Sequence, residues 1–249
     1  MMKTARIVVE GEVRRVTYLE GELLDQRGRR FHPDRAVFLP PVAPRVVVGL
    51  ALNFANRAAE LERAQPEAPA LFIKPNSCLI GHGLPVVYPA GARYCHYEAE
   101  LAVVIDRTCR RVPEDRALDY VRGFTVANDF TCRDFVTNLL WPPVKAKGFD
   151  SFGPLGPYLV TLDEVRDPDR MRVRSWVNGE LKQDGSTADL VHSISAIIHY
   201  VTQFMTLRAD DVILTGTPPG ISPVQPGDEM VCEVEGVGRL VNRVVAELV

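Results

Sequence analysis

Apolar and polar positions along the 249-residue chain fall into many short runs of period two and few of period 3.6. Residues 4 to about 24 alternate and turn like small hairpins: Arg6-Ile7-Val8-Val9, then Gly11-Glu12, then Val13 to Leu19, then Glu20-Gly21. Pro33, Pro40, Pro41 and Pro44 follow in a stretch that reads as a linker. The pattern therefore predicts a small N-terminal β subdomain and linker over 1–45 and a main domain over 46–249, entered by a buried strand from Val46 to Leu50. Phe124 to Ala127, Tyr158 to Thr161, Arg172 to Val177, Val212 to Thr215, Glu229 to Val234 and Leu240 to Ala246 read as further strands. Asn178-Gly179 reads as a two-residue hairpin turn, because both positions tolerate positive φ. Two stretches read as helix. One runs from Glu114 to Val121, opened by Pro113 and closed by Gly123. The other spans 188–205, with apolar residues from Leu190 to Met205 at helical spacing and Thr187 as N-cap. Many strands, few helices and no regular β-α alternation predict a β-rich α+β fold.

One strand carries an electrostatic oddity. In Tyr97-Glu98-Ala99-Glu100-Leu101-Ala102-Val103-Val104-Ile105, everything after Glu100 is apolar, as in a strand buried on both faces. Residues two apart share a face, so both carboxylates point the same way, roughly 6–7 Å apart at the backbone. Two buried like charges are costly unless neutralised, and a hard divalent cation takes oxygen ligands. Asp129 closes the apolar run 125–127 with Asn128 and supplies a third carboxylate. Two Glu and one Asp suit Mg²⁺ or Mn²⁺, with positions left for waters or a chelating substrate; an ordinary half-exposed strand is the alternative reading of the glutamate pair.

Two loops add candidate chemistry. Lys147 lies in a stretch where Gly and Pro flank a basic-acidic cluster, Lys145 to Pro157, which reads as a loop holding charges in place or as plain surface. Leu214 to Gly220 follows a buried strand, and its amides and threonine hydroxyls could grip a carboxylate or simply turn the chain. His192 and His199, seven apart and on another face, read as helix-surface histidines, with a metal role as the alternative. No dinucleotide fingerprint, phosphate loop or serine elbow is present.

Composition narrows the setting. A net charge of −3 gives no footprint for nucleic acid or an anionic membrane surface. Five cysteines without C-x-x-C spacing argue against a disulfide framework or a zinc site and fit a reduced cytoplasm. The N-terminal stretch Met1 to Glu10 has no signal-peptide apolar core, and no apolar run reaches transmembrane length.

The set His96-Tyr97-Glu98-Ala99-Glu100-Leu101, Ala127-Asn128-Asp129, Arg133-Asp134, Lys147-Gly148-Phe149-Asp150, Val177-Asn178-Gly179-Glu180 and Ile213 to Pro218 resembles the fumarylacetoacetate hydrolase family from about Val46 to the C-terminus. Within it, Tyr94 to Leu101, Phe204 to Leu207, and Pro226 to Glu229 with Glu235 to Leu240 look most like the branch that decarboxylates and isomerises intermediates of homoprotocatechuate (4-hydroxyphenylacetate) breakdown. The resemblance implies a mixed β-roll, usually dimeric, with Glu98, Glu100 and Asp129 holding Mg²⁺ or Mn²⁺. It places Lys147 beside the metal, Ser151 as a supporting hydroxyl, and Arg133 and Thr217 against substrate. It implies a 2-oxo di- or tricarboxylate substrate, such as 5-oxopent-3-ene-1,2,5-tricarboxylate, and a homodimer or pairing with a related subunit.

One departure matters. Hydrolytic members activate water with the His of an Asn-Tyr-x-x-His-x-x-Glu stretch, and here it reads Asn53-Phe54-Ala55-Asn56-Arg57-Ala58-Ala59-Glu60. Arginine stays protonated and cannot be that base. Arg57 is then expected to clamp a distal substrate carboxylate, and Glu60 is the candidate general acid. Decarboxylation needs no activated water; acylpyruvate hydrolysis, oxaloacetate decarboxylation or tautomerisation, and a non-catalytic binding module are the alternatives.

Overall fold

The computed structural model describes residues 3–136 and 143–248; residues 1, 2, 137–142 and 249, including the Met1-Met2 start of the N-terminal stretch, lie outside them. A mixed 12-stranded sheet forms the frame. From its middle to one edge the strands are Gly153–Thr161, Val121–Asn128, Ala99–Ile105, Val212–Leu214, Val47–Ala51 and the edge strand Ala70–Lys74, in that spatial order. Val212–Leu214 and Val47–Ala51 run parallel; the other central pairs run antiparallel. The N-terminal hairpin Lys3–Val9 and Glu12–Leu19 forms as its alternation predicts, and Lys3–Val9 pairs with Gly153–Thr161 in this same sheet. A five-stranded sheet, built around Arg172–Val177, Glu229–Val234 and Gly238–Ala246, packs on one face. Its Arg172–Val177 hairpin turns at Asn178-Gly179, both at positive φ. The β-rich α+β architecture is the one the strand pattern predicts.

The Ala99–Ile105 strand is buried along its whole length. Ala99, Leu101, Val103 and Ile105 enter a core shared with the helix Ile194–Phe204 and the five-stranded sheet. Ala102 and Val104 enter a second core on the opposite face. Strand alternation puts Glu98 and Glu100 on the face of Ala102 and Val104. The same pleat that buries the apolar residues therefore delivers both carboxylates to one place.

Three local expectations need correction. The 114–121 helix is a 3₁₀ segment, Glu114–Tyr120, and the strand already begins at Val121. Gly123 lies inside that strand instead of closing the helix, because a Cβ there would come within 2.0 Å of the Val160 carbonyl oxygen of the neighbouring strand. The 188–205 helix starts at Ile194, capped by the Ser193 hydroxyl on the Ala196 amide. Thr187 cannot be its cap, because Ser186 and Asp189 form a capping box around a separate short turn, Thr187–Asp189. The chain between then bends at Val191 and His192, whose amides bond the Asn53 carbonyl and side-chain oxygens. Finally, the Lys145 to Pro157 stretch is a loop only in its middle. It opens with a short helix, Val144–Lys147, and Gly153–Pro157 already belongs to the Gly153–Thr161 strand.

Candidate metal centre

Glu98 precedes the Ala99–Ile105 strand and Asp129 follows its partner, Val121–Asn128. The register Ala99↔Asn128 brings the two ends together. The Asp129 amide bonds the Glu98 carbonyl at 2.9 Å, and the Asn128 side chain accepts the Glu98 amide at 3.0 Å. As a result, one ligand oxygen from each of Glu98, Glu100 and Asp129 lies within 4.8 Å of the others. Among the described residues this is the one such cluster of potential metal ligands. His192 and His199 are elsewhere, tied to Asn53 and to the Val112 carbonyl respectively.

The three acids are neutralised unequally. Lys147 Nζ reaches Glu98 at 2.9 Å and the Thr131 hydroxyl at 2.8 Å, and also pairs with Asp129. Burial opposes its charge, but Asp129 and Glu98 outweigh burial and hold the ammonium above its usual pKa. Lys74, only 1% exposed, gives its Nζ to Asp129 at 2.6 Å and to the Lys147 carbonyl at 2.8 Å. Arg57, 3% exposed, pairs with Glu60 and reaches Glu98 at 3.2 Å. Burial works against ionisation of Glu98, yet Lys147, His96 and Arg57 hold its carboxyl well below the usual range. Among the described residues Glu100 pairs with no cation, and its one bond is from the Gly216 amide at 2.7 Å. Burial first, then the charges of Asp129 and Glu98, push its carboxyl well above its ordinary value. A buried acid set of oxygen donors, one of them uncompensated, fits a hard divalent cation.

A cavity of about 240 Å³ opens over this cluster, lined among others by Arg57, Glu98, Glu100, Arg133, Lys147 and Thr217. Ser151 is not among its lining residues, and its hydroxyl accepts the Val87 amide at 2.8 Å. Glu60 accepts the Gly220 amide at 2.8 Å with one oxygen and faces Arg57 with the other. The turn after Leu214 does grip a carboxylate, but the one gripped is Glu100 of this same chain.

Three residues escaped the sequence reading. Lys74 closes the strand Ala70–Lys74 on the buried face of Phe72, a signal that strand alternation does carry. His96 lines the cavity fully buried, its imidazole pushed down by burial to about 4 and its Nε2 without a hydrogen-bond partner among the described residues. Gln183, which lies between Lys182 and Asp184 in the sequence, is fully buried. Its Oε1 accepts the Ala99 amide at 3.1 Å and the Ser175 hydroxyl at 3.0 Å; its Nε2 donates to Thr217 Oγ1 at 2.8 Å. Thr217 in turn donates to the Ala99 carbonyl at 2.8 Å. Thr217 therefore has no hydroxyl proton left for a bound anion. Gln183 and Thr217 together clamp the peptide units on either side of Ala99, between the two glutamates. Gln183→Leu is expected to lower stability by about 2–3 kcal/mol, since it strands buried donors and acceptors, and to weaken divalent-ion binding. Thermal melting and titration with Mn²⁺ check both; unchanged ion affinity would show that the clamp does not position the glutamates.

Residues 46–245 match the fumarylacetoacetate (FAA) hydrolase C-terminal family. This chain belongs to the fumarylacetoacetate hydrolase family. A 4-hydroxyphenylacetate degradation bifunctional isomerase/decarboxylase of Salmonella dublin is 46% identical over 208 residues, which cover 84% of this chain and 48% of that protein. The chain spans about half the length of the bifunctional relatives it matches. Among solved structures, a 5-carboxymethyl-2-hydroxymuconate delta-isomerase of Mycobacterium smegmatis superposes with a TM-score of 0.89 at 36% identity, covering 100% of both chains. A maleylpyruvate hydrolase of Sphingobium sp. SYK-6, solved with manganese(II) and pyruvate, superposes at 0.85 with 27% identity, covering 99% of this chain and 100% of that one.

Proposed function

We propose that this chain is a divalent-metal-dependent decarboxylase and isomerase of an unsaturated 2-oxo polycarboxylic acid in 4-hydroxyphenylacetate (homoprotocatechuate) breakdown. The observation that carries this reading is the convergence of Glu98, Glu100 and Asp129, with the two glutamates lining a cavity that Arg57, Arg63, Arg133 and Lys147 also line; the motif resemblance puts Arg57 where hydrolytic members carry their histidine. The three carboxylates would hold Mg²⁺ or Mn²⁺, and the manganese and pyruvate in the maleylpyruvate hydrolase support that choice of ion and of ligand head group. When bound, the ion supplies Lewis-acid polarisation of a 2-oxo group.

The chain's own residues supply the rest. Lys147, kept charged by Glu98 and Asp129, faces the cavity and stabilises the negative charge that builds on the oxo acid as CO₂ leaves. Arg133 lines the cavity with no ion-pair partner among the described residues and is available to a substrate carboxylate. Arg57 pairs with Glu60 and Glu98, and a guanidinium at this position provides no base to activate water. Both Glu60 oxygens are engaged, with Arg57 and the Gly220 amide, an arrangement that favours anchoring Arg57 over giving a proton. The half-length match to bifunctional relatives supports assembly of two such units, as a homodimer or with a related subunit. Among the described residues no helix is long and apolar enough to cross a membrane; a cytoplasmic setting is part of the proposal.

Product analysis tests the reading. With Mg²⁺ or Mn²⁺ and 5-oxopent-3-ene-1,2,5-tricarboxylate, substrate loss should match CO₂ release, followed by the ultraviolet change of a dienol ketonising. Faster C–C hydrolysis of an acylpyruvate than CO₂ release from the tricarboxylate would overturn it in favour of a hydrolase.

A further inference from the structure

We propose that Arg63, at the rim of the cavity, pairs with a carboxylate at the far end of the bound 2-oxo acid and makes the site selective for acids that carry one. The inference rests on the reading of a metal-chelated 2-oxo acid given above.

Four Lys or Arg side chains line the cavity: Arg57, Arg63, Arg133 and Lys147. Two of them are committed. Arg57 pairs with Glu60 and Glu98, and Lys147 with Glu98 and Asp129. The sequence reading placed the distal clamp on Arg57, but that guanidinium is already occupied within the protein. Arg63 has no ion pair or side-chain hydrogen bond among the described residues. Leu52, Leu61, Leu71 and Val136 line the same cavity, and among the described residues its only acidic lining residues are Glu98 and Glu100 of the acid cluster. The acid cluster fixes where the chelating end of a ligand sits; the rim is where its other end emerges.

Local backbone geometry turns Arg63 back toward this site. The short helix Arg57–Glu60 closes with two bonds: the Glu62 amide to the Ala59 carbonyl at 3.0 Å, and the Arg63 amide to the Ala58 carbonyl at 2.9 Å. This paired closure needs a left-handed residue at the position of Glu62, whose φ is +52°, and glycine is the usual occupant. Here a non-glycine residue takes the left-handed conformation immediately before Arg63. A guanidinium so placed offers a planar two-donor face that matches a carboxylate.

Calorimetric binding to the Mn²⁺-loaded protein tests this with three probes: oxalate, which has only the chelating head; 2-oxoadipate, which adds a distal carboxylate; and 2-oxohexanoate, its methyl-ended counterpart. The wild type should bind 2-oxoadipate at least about five-fold more tightly than 2-oxohexanoate, the scale of one charge-assisted contact at a partly solvated rim. Arg63→Ala should reduce that ratio to near one while leaving oxalate affinity and melting temperature unchanged. Arg63→Lys should recover part of the ratio, and Glu62→Gly, which keeps the turn, should retain it. Equal wild-type affinity for the two long acids, or an undiminished ratio in Arg63→Ala with oxalate still bound, overturns the clamp alone. Failure of oxalate to bind the metal-loaded wild type removes the chelation reading, and the clamp with it.

Discussion

Glu100→Gln is expected to stabilise the metal-free protein while abolishing its divalent-ion binding and turnover. The two effects share one cause. Glu100 is a buried carboxyl with no cation partner among the described residues, facing Glu98 and Asp129. Its pKa is raised on folding by burial and by those two charges. A carboxyl whose folded pKa exceeds its unfolded value costs stability once pH rises above the unfolded pKa, because the unfolded state then releases its proton more readily. Glutamine is isosteric, still accepts the Gly216 amide and carries no charge. The gain should be about 1–3 kcal/mol near neutral pH, a rise of several degrees in melting temperature for a chain of this size. It should shrink as pH falls into the ordinary carboxylate range. Melting the wild type and the variant across pH, with Mn²⁺ titrations alongside, reads both effects. A destabilised Glu100→Gln at neutral pH would mean that the carboxylate is already compensated and the argument for a cation is wrong.

Lys147→Met should fail in the opposite way. The ammonium pairs with Glu98 and Asp129, so its removal leaves buried carboxylates short of a partner and costs about 3–5 kcal/mol in the metal-free protein. Lys74 still holds Asp129 and Arg57 still holds Glu98, which keeps the fold within reach. Removing a positive charge beside the three acids should leave Mn²⁺ affinity equal or tighter. Turnover should nevertheless fall about 10²–10³-fold, the scale expected when a charge that stabilises a developing oxyanion is deleted. Ion binding and turnover therefore separate in Lys147→Met and fall together in Glu100→Gln. Loss of ion binding in Lys147→Met would make the lysine a support of the metal site and not a contributor to the chemistry.

The parts of this molecule visible in its sequence are those set by local periodicity. Alternation along Ala99–Ile105 fixes the shared face of Glu98 and Glu100, and the Asn178-Gly179 pair fixes its hairpin. What alternation cannot show is which distant residue completes a site. Lys74 meets Asp129 across 55 positions, and Arg57 meets Glu98 across 41. Gln183 sits between Lys182 and Asp184 in a polar run, yet the hairpin packs it against Thr217 and Ala99. Helix boundaries were blurred for a different reason. Side chains such as Ser186, Asp189 and Asn53 hydrogen-bond the backbone and hold 187–192 out of the helix although its apolar spacing continues through that stretch. The identity of Arg57 was legible from its place in a motif, but its engagement with Glu60 and Glu98 was not.

The central claim is that Glu98, Glu100 and Asp129 hold a divalent ion on which an unsaturated 2-oxo acid is decarboxylated. Its most direct test is CO₂ release from 5-oxopent-3-ene-1,2,5-tricarboxylate by protein stripped of metal with excess chelator and then resupplied with Mg²⁺ or Mn²⁺. The account predicts at least a 100-fold loss on stripping and recovery on resupply; undiminished CO₂ release from the stripped protein would contradict it.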